Sequence, residues 1–365
     1  MRGRDSSFST RSLTFFIIYS PLTYHHPLHN TEIPPSSSLP AVKSLSDGAA
    51  ICLEGLLESP EKHLAAILDC SGTRILDCGV EAQGTTELGV IMADVAMGGR
   101  GKTDLISNEK LIFLSDIWPQ CSWPLVQVHS NDPVSACLAS QYAGWQIDHK
   151  NFKAMASGPI RAAIGKENIF ETIGRREQPQ DTVGLLETDR LPPEAVCHEL
   201  AALAGLSTRD ITLLVAATKS PAGMVQVIAR SLETAIHQLH ECGFDLERIV
   251  RGTGVAPLPS TFRESLVAIG CANDAILYGG VVRLDVIGDD ASLEAIGPRA
   301  VSSHSNLHGE LFSDLFRQAN HDFYALDPAL FAPAVLEIRN LESGHHYRFG
   351  VVSADIIEKS FSAAD

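Results

Sequence analysis

AMGGRGKTDL, Ala96 to Leu105, is the stretch on which the fold turns. It satisfies the loose phosphate-loop pattern: a small residue, four free positions, then Gly101, Lys102 and Thr103. A phosphate loop needs a strand before it and a helix directly after it, because the helix N-terminus and the loop N–H groups must converge on the phosphates. The apolar run GVIMADVAM ahead of the loop reads as a strand. The following DLISNEKLIFLSDIW, with Asn108 and mixed apolar spacing, reads as a turn and another strand. Without a helix to receive phosphates, Gly98, Gly99 and Gly101 are expected to make a glycine-rich turn between strands, and no nucleotide is expected.

Outward from this turn, helical and strand patterns alternate. Ile51, Leu53, Leu56 and Leu57, then Leu64, Ile67 and Leu68, are helically spaced from Asp47 to Leu68, with a turn at SPEK. TRILDCGV and ELGVIMADVAM are predicted strands, PLVQVHS a strand, and PVSACLASQYAGW a helix with Pro133 at its start and Gly144 at its end. Ala154 to Ala163 is predicted as a loop of small residues. DTVGLLET is a predicted strand, PPEAVCHELAALAG a helix closed by Gly205, and ITLLVAAT a buried strand. One long helix is predicted from Met224 to Cys242, closed by Gly243, whereas 288–330 has weak periodicity and reads as an excursion. The alternation predicts an α/β (mixed α+β) protein. The length of 365 residues suggests two domains, with 44–160 forming the first and 161–365 the second.

The formal net charge is −16, which argues against nucleic-acid binding and against docking on an anionic membrane. Eight cysteines are scattered without a C-x-x-C pair and read as reduced core thiols of a cytoplasmic protein. Residues 1–43 combine basic residues, a short apolar run from Leu13 to Tyr19 and a Pro/Ser/His-rich tail. That run is too short for a membrane span and lacks a convincing cleavage site, so the segment is read as a disordered or spurious extension.

The most informative element is MVQVIARSLETAIHQLHEC. Val225, Ile228, Leu232, Ile236 and Leu239 make one buried face, with Gln226, Arg230, Glu233, His237 and His240 in a polar stripe beside it. Arg230 and Glu233, three residues apart, are neighbours on one face. The segment follows a buried strand and the polar turn ATKSPAG, an arrangement that places a helix start at the mouth of an α/β cleft. His304 and His308 have the spacing of two metal ligands, but no third ligand or H-E-x-x-H frame accompanies them. Cys137 lies mid-helix among apolar residues and reads as core.

Several segments together resemble the methenyltetrahydromethanopterin cyclohydrolase family: LDCGVEAQG, ADVAMGG, DPVSACLASQYAGW, FKAMASGPIRA, MVQVIARSLETAIHQL, GTGVAPLP and NDAILYGGVV, in family order from about residue 47 to 284. The resemblance implies a two-domain subunit with an interdomain cleft that takes a pterin, assembled as a homotrimer. It implies hydrolysis of N5,N10-methenyltetrahydromethanopterin to the N5-formyl form, with no metal and no tightly bound cofactor. Arg230 and Glu233 match the family's Arg-x-x-Glu pair, with Glu233 as general base. Burial should raise the Glu233 pKa and Arg230 should lower it; the two effects oppose one another.

For substrate contacts, the turns Ser157-Gly158-Pro159 and Tyr278-Gly279-Gly280 offer close backbone approach and N–H donors. Arg161 is expected either to bind an acidic tail of the pterin or to pair with a structural carboxylate. Tyr142 stands where archaeal relatives often carry a lysine. Two other functions remain open at this level: a non-catalytic pterin-binding subunit, and a metal-dependent hydrolase using His304, His308 and His345 or His346.

Overall fold

The structure is a computed structural model and describes residues 44–107, 114, 116–259 and 264–362. The extension over 1–43 and the centre of the apolar run after the glycine turn lie outside the described residues. The described chain forms two mixed six-stranded sheets. The first has the order β1 (Ala66–Cys70), β2 (Thr73–Gly79), β8 (Ile211–Ala216), β7 (Thr182–Glu187), β6 (Phe152–Ser157) and β5 (Trp145–His149), with β2, β8 and β7 parallel. The second has the order β12 (His346–Gly350), β11 (Val335–Asn340), β10 (Val281–Val286), β9 (Ile249–Pro257), β4 (Leu125–Ser130) and β3 (Gly101–Ile106). The mixed α/β class expected from the sequence is the class observed. The boundary expected near residue 160 falls between β6 and β7, which pair within one sheet (Ser157 opposite Leu185), so a cut there does not separate the two sheets.

The helices are α1 (Leu45–Glu58), α2 (Thr86–Ala96), α3 (Val134–Gln141), α4 (Ile160–Ile164), α5 (Ile169–Ile173), α6 (Glu194–Ala204), α7 (Pro221–Ile228), α8 (Ser231–Glu241), α9 (Ser265–Gly279), α10 (Asp290–Ile296), α11 (Phe312–Gln318) and α12 (Ala354–Ser362). On one face of the first sheet, Val196, Cys197 and Leu200 of α6 pack on Ile75, Leu213 and Val215. On the other, Leu88, Met92 and Val95 of α2 and Ala222 of α7 pack on Leu76, Leu185 and Leu214. Ala93, Val225 and Ile228 of the same two helices, with Met97 just past the end of α2, join the larger core with Val126, Val128, Val282 and Leu284 of the second sheet. Thus α2 and α7 contribute to the cores of both sheets. No helix among the described residues is long and apolar enough to cross a membrane.

Ile67 and Leu68, read with helical spacing, lie in strand β1 because the helix ends at Glu58, and two further expectations are corrected. ELGVIMADVAM is a helix rather than a strand, started by the Thr85 hydroxyl accepting from Leu88 N at 3.1 Å. A helix packed on two sides is apolar on two sides, so its 3.6-residue period was hidden. The glycine turn therefore joins a helix to a strand, the reverse of a phosphate loop. Gly98 and Gly99 turn the chain with φ of +61° and +67°. Asp94 consumes the Lys-Thr pair, taking Lys102 Nζ at 2.7 Å and Thr103 N at 2.7 Å. The second correction is Ala154 to Ala163, which is the end of β6 and the start of α4. Its small residues fill a tight core, with Ala156 and Ala162 fully buried.

Candidate active site

The single helix expected over 224–242 is two helices. The Ser220 hydroxyl caps α7 by accepting from Gly223 N at 3.0 Å. The helix tightens at its end, where Arg230 N donates to Val227 O at 3.0 Å, and α8 begins at Ser231. The Ala229 carbonyl exposed by this break accepts from Gln141 Nε2 at 3.1 Å. Gln141 ends α3, which is wound with i→i+5 bonds: Tyr142 N donates to Cys137 O at 2.7 Å. Such winding is rare and frequent at functional sites. The first turn of α8 lies directly on β9. A Cβ at Gly254 would stand 2.6 Å from Leu232 N and 2.5 Å from Ser231 Oγ. Arg230 therefore occupies the junction where α7, α8 and α3 meet the end of β6.

Arg230 is 7% exposed and Glu233 4%. Arg230 Nη1 donates to the Gln141 carbonyl, and Nη2 donates to Ser157 Oγ at 3.0 Å and Gln226 Oε1 at 3.2 Å. Glu233 accepts no hydrogen bond among the described residues, so Arg230 acts on it through its field rather than by direct contact. Burial raises the Glu233 pKa to about 7, and the opposing pull of Arg230 and Arg161 does not cancel it. The tension posed by the sequence is thus resolved in favour of burial. Burial likewise lowers the Arg230 pKa, while the Glu233 and Glu187 carboxylates raise it. His237, one turn beyond Glu233, is pushed down to about 4 by burial and is neutral near pH 7. Burial holds the Cys137 thiol far above its ordinary range, which removes it as a nucleophile. Unmet hydrogen bonds concentrate here: Arg230 Nε, Gln141 Oε1 and Ser231 Oγ are buried without a partner. Buried polar atoms are normally paired, so three orphans around one break are unusual.

The predicted contact residues divide. Ser157 is at Arg230, and Gly158 and Pro159 follow it at the start of α4, where Gly158 N donates to Ser140 O at 2.8 Å. Arg161 is fully buried and already engaged: Nε and Nη2 each donate to Glu167 at 2.8 Å, and Nη1 donates to Leu138 O at 2.8 Å. Of its two expected roles it takes the structural one and is not free for an acidic tail. The Tyr278-Gly279-Gly280 turn is not brought to Arg230 by any contact. Tyr278 Oη donates to Glu310 O at 2.5 Å and accepts from Gly309 N at 3.1 Å, and Gly280 N donates to Ile276 O at 2.9 Å. Its donors are satisfied inside the core at the end of α9.

The histidines do not converge either. His308 packs its ring against Tyr278 at 4.9 Å, and His345 Nδ1 lies 2.7 Å from Asp290 Oδ2. No group of three or more His, Cys, Asp or Glu among the described residues is arranged to hold a metal ion.

Sequence reasoning missed Gln141, whose signal was a lone amide in the otherwise small and apolar SACLASQ. It also missed Glu187, which accepts from Thr218 Oγ1 and lends its charge to Arg230. Elsewhere, Asp77 is a buried structural carboxylate. Its carboxylate accepts from four successive amides, Gly79, Val80, Glu81 and Ala82, at 2.8–3.1 Å and shapes the loop at the end of β2.

Comparison with known proteins bears on this arrangement. Residues 44–361 match the model of the family described as Cyclohydrolase (MCH). The chain is 38% identical to the methenyltetrahydromethanopterin cyclohydrolase of Methylobacillus flagellatus, over 80% of this chain and 86% of that protein. It is 38% identical to that of Methylobacterium organophilum, over 90% of this chain and 99% of that protein. To the archaeal enzyme of Methanocella arvoryzae it is 38% identical, over 79% and 88%. A family match spanning nearly all of the described residues, together with relatives aligned along most of their length, establishes that this chain belongs to the methenyltetrahydromethanopterin cyclohydrolase family.

Proposed function

We propose that this protein reversibly hydrolyses N5,N10-methenyltetrahydromethanopterin to N5-formyltetrahydromethanopterin in the one-carbon metabolism of formaldehyde oxidation. The observation that carries the reading is Glu233: a buried carboxylate, free of hydrogen bonds, with its pKa raised to about 7 beside a fixed guanidinium. A general base works best when its pKa lies near the working pH.

The substrate is a cationic amidinium and already electrophilic. A water oxygen bonds to the methenyl carbon as one of its protons passes to Glu233. The adduct collapses when its C–N10 bond breaks: the bonding pair and the Glu233 proton go to N10, and the hydroxyl oxygen becomes the formyl carbonyl. The hydroxyl proton leaves through the carboxylate, so one proton is released overall as a cation becomes neutral. Arg230, held by Gln141, Ser157 and Gln226, keeps positive charge beside the carboxylate, and the bound cation reinforces it. The three orphaned polar atoms lie around the same break as this pair. In this reading the pterin binds beside this break, against the Ser157-Gly158-Pro159 turn.

The chain works without a metal or tightly bound cofactor, in the cytoplasm, as a homotrimer. Its eight unpaired cysteines support the compartment, and the family resemblance supports the assembly. Loss of methenyl absorbance over the spontaneous rate tests the activity. Glu233→Gln, nearly isosteric, is expected to lower turnover about 10²- to 10⁴-fold with pterin binding retained; an unchanged rate overturns the assignment.

A further inference from the structure

Tyr324 belongs to the excursion over 288–330, yet it reaches back to the site across 180 residues: its hydroxyl donates to Gly144 O at 3.0 Å. The turn that carries it, Phe323–Ala325, is rigidly held. Asp322 Oδ1 accepts from Tyr324 N at 2.9 Å. The Phe323 ring is set among Phe316 at 4.4 Å, Phe312 at 5.9 Å and Phe331 at 6.4 Å. Tyr324, bonded at its backbone and at its hydroxyl, nonetheless remains 61% exposed as a residue.

Gly144 connects this ring to the catalytic pair. A Cβ on Gly144 would fall 2.0 Å from Tyr142 Cε1, so only glycine there lets the Tyr142 ring fold down. That ring stacks on His237 at 4.4 Å and 20°, one helical turn past Glu233, with the Arg161 guanidinium 5.0 Å from its centroid. Tyr142 is thus engaged by His237 and Arg161, whereas Tyr324, bonded to Gly144 through its hydroxyl, stays largely exposed. A rigid aromatic surface of this kind costs little ordering on binding. A flat cationic ring system gains from both stacking and cation–π attraction.

We propose that Tyr324 is a wall of the substrate site, on whose ring the flat cationic pterin stacks; this rests on the function proposed above. Tyr324 positions and selects the substrate and takes no part in moving the proton.

The test measures binding of the methenyl pterin to the full chain carrying Glu233→Gln, whose slowed turnover lets binding be read by stopped-flow before hydrolysis, alongside steady-state kinetics in the Glu233 background. Tyr324→Ala is expected to weaken binding and raise KM about tenfold, with kcat and its pH profile unchanged within about twofold. Tyr324→Phe, which keeps the ring and loses the bond to Gly144, is expected to bind within about threefold of the parent. Tyr324→Leu keeps apolar bulk without a π-face and is expected to behave like Ala; thermal midpoints close to the parent's show that each variant folds. Unchanged binding in Tyr324→Ala, or a loss in Tyr324→Phe equal to that in Tyr324→Ala, overturns the proposal. A parent chain that binds the pterin without hydrolysing it refutes the activity instead, and leaves the binding comparison valid.

Discussion

Glu233 is a carboxylate whose surroundings disagree about its charge. Water exclusion favours the protonated acid, and the guanidiniums of Arg230 and Arg161 favour the anion. Hydrolysis requires the anion, so the pH dependence has a definite sign. The kcat/KM for hydrolysis is expected to rise about tenfold per unit toward an inflection near 7 and level off above it. In Glu233→Gln that limb is expected to vanish from the residual rate, and stopped-flow absorbance across pH 5 to 9 checks both. An inflection near 4.5 would mean that burial does not control this group. The pair was singled out through the family resemblance, because the three-residue spacing by itself fits an ordinary surface ion pair equally well. The fate of Arg161 was not legible, since Glu167 becomes its bidentate partner only once α4 and the loop after it have folded back.

At the scale of elements, the break between α7 and α8 does most to shape the site. An uninterrupted helix would seal the Ala229 carbonyl inside its own ladder, leaving Gln141 nothing to grip. The close seat of α8 on β9 depends on Gly254, whose Cβ would collide with Leu232 N. Gly254→Ala is therefore expected to cost about 1–3 kcal/mol in a denaturant titration. It should also lower turnover, by displacing Arg230 and Glu233 together. Stability lost without any loss of rate would show that the site tolerates a shift of α8. The break was invisible in the periodic pattern, because Val225, Ile228, Leu232, Ile236 and Leu239 keep helical spacing straight through it. Strands with a single apolar signature, such as β2, β4, β7 and β8, were all anticipated. The strand reading failed for α2, which packs into the cores of both sheets.

At the scale of the whole molecule, the second sheet and its helices are tied together by another buried carboxyl. Asp274 of α9 accepts from Phe312 N at 2.9 Å and from Ser360 Oγ at 2.6 Å, joining the start of α11 and the last turn of α12 to one helix. Burial raises its pKa from 3.8 to about 7. Between those values the folded state holds a proton that the unfolded chain has released, so this group's contribution to stability falls as pH rises and is constant above about 7. Asp274→Asn is expected to keep the acceptor for Phe312 N and remove this penalty. Its stability relative to the parent should grow from about pH 4 to about pH 7, by roughly 1–4 kcal/mol. Urea titrations at several pH values measure the difference, and a gap that does not vary with pH contradicts the argument.

By itself the sequence determined the alternating α/β character, the acidic net charge and the family signature from about residue 47 to 284, within which Arg230 and Glu233 fall. These are properties of composition, local period and order along the chain. Tertiary structure alone decided how the strands divide between two sheets and where the long helix breaks. It also decided that Arg161 and Tyr278 are consumed internally, and that desolvation prevails over charge at Glu233. Each of these depends on which distant segments exclude water from a given side chain, and that exclusion exists only after residues as far apart as Gln141 and Arg230 have come into contact.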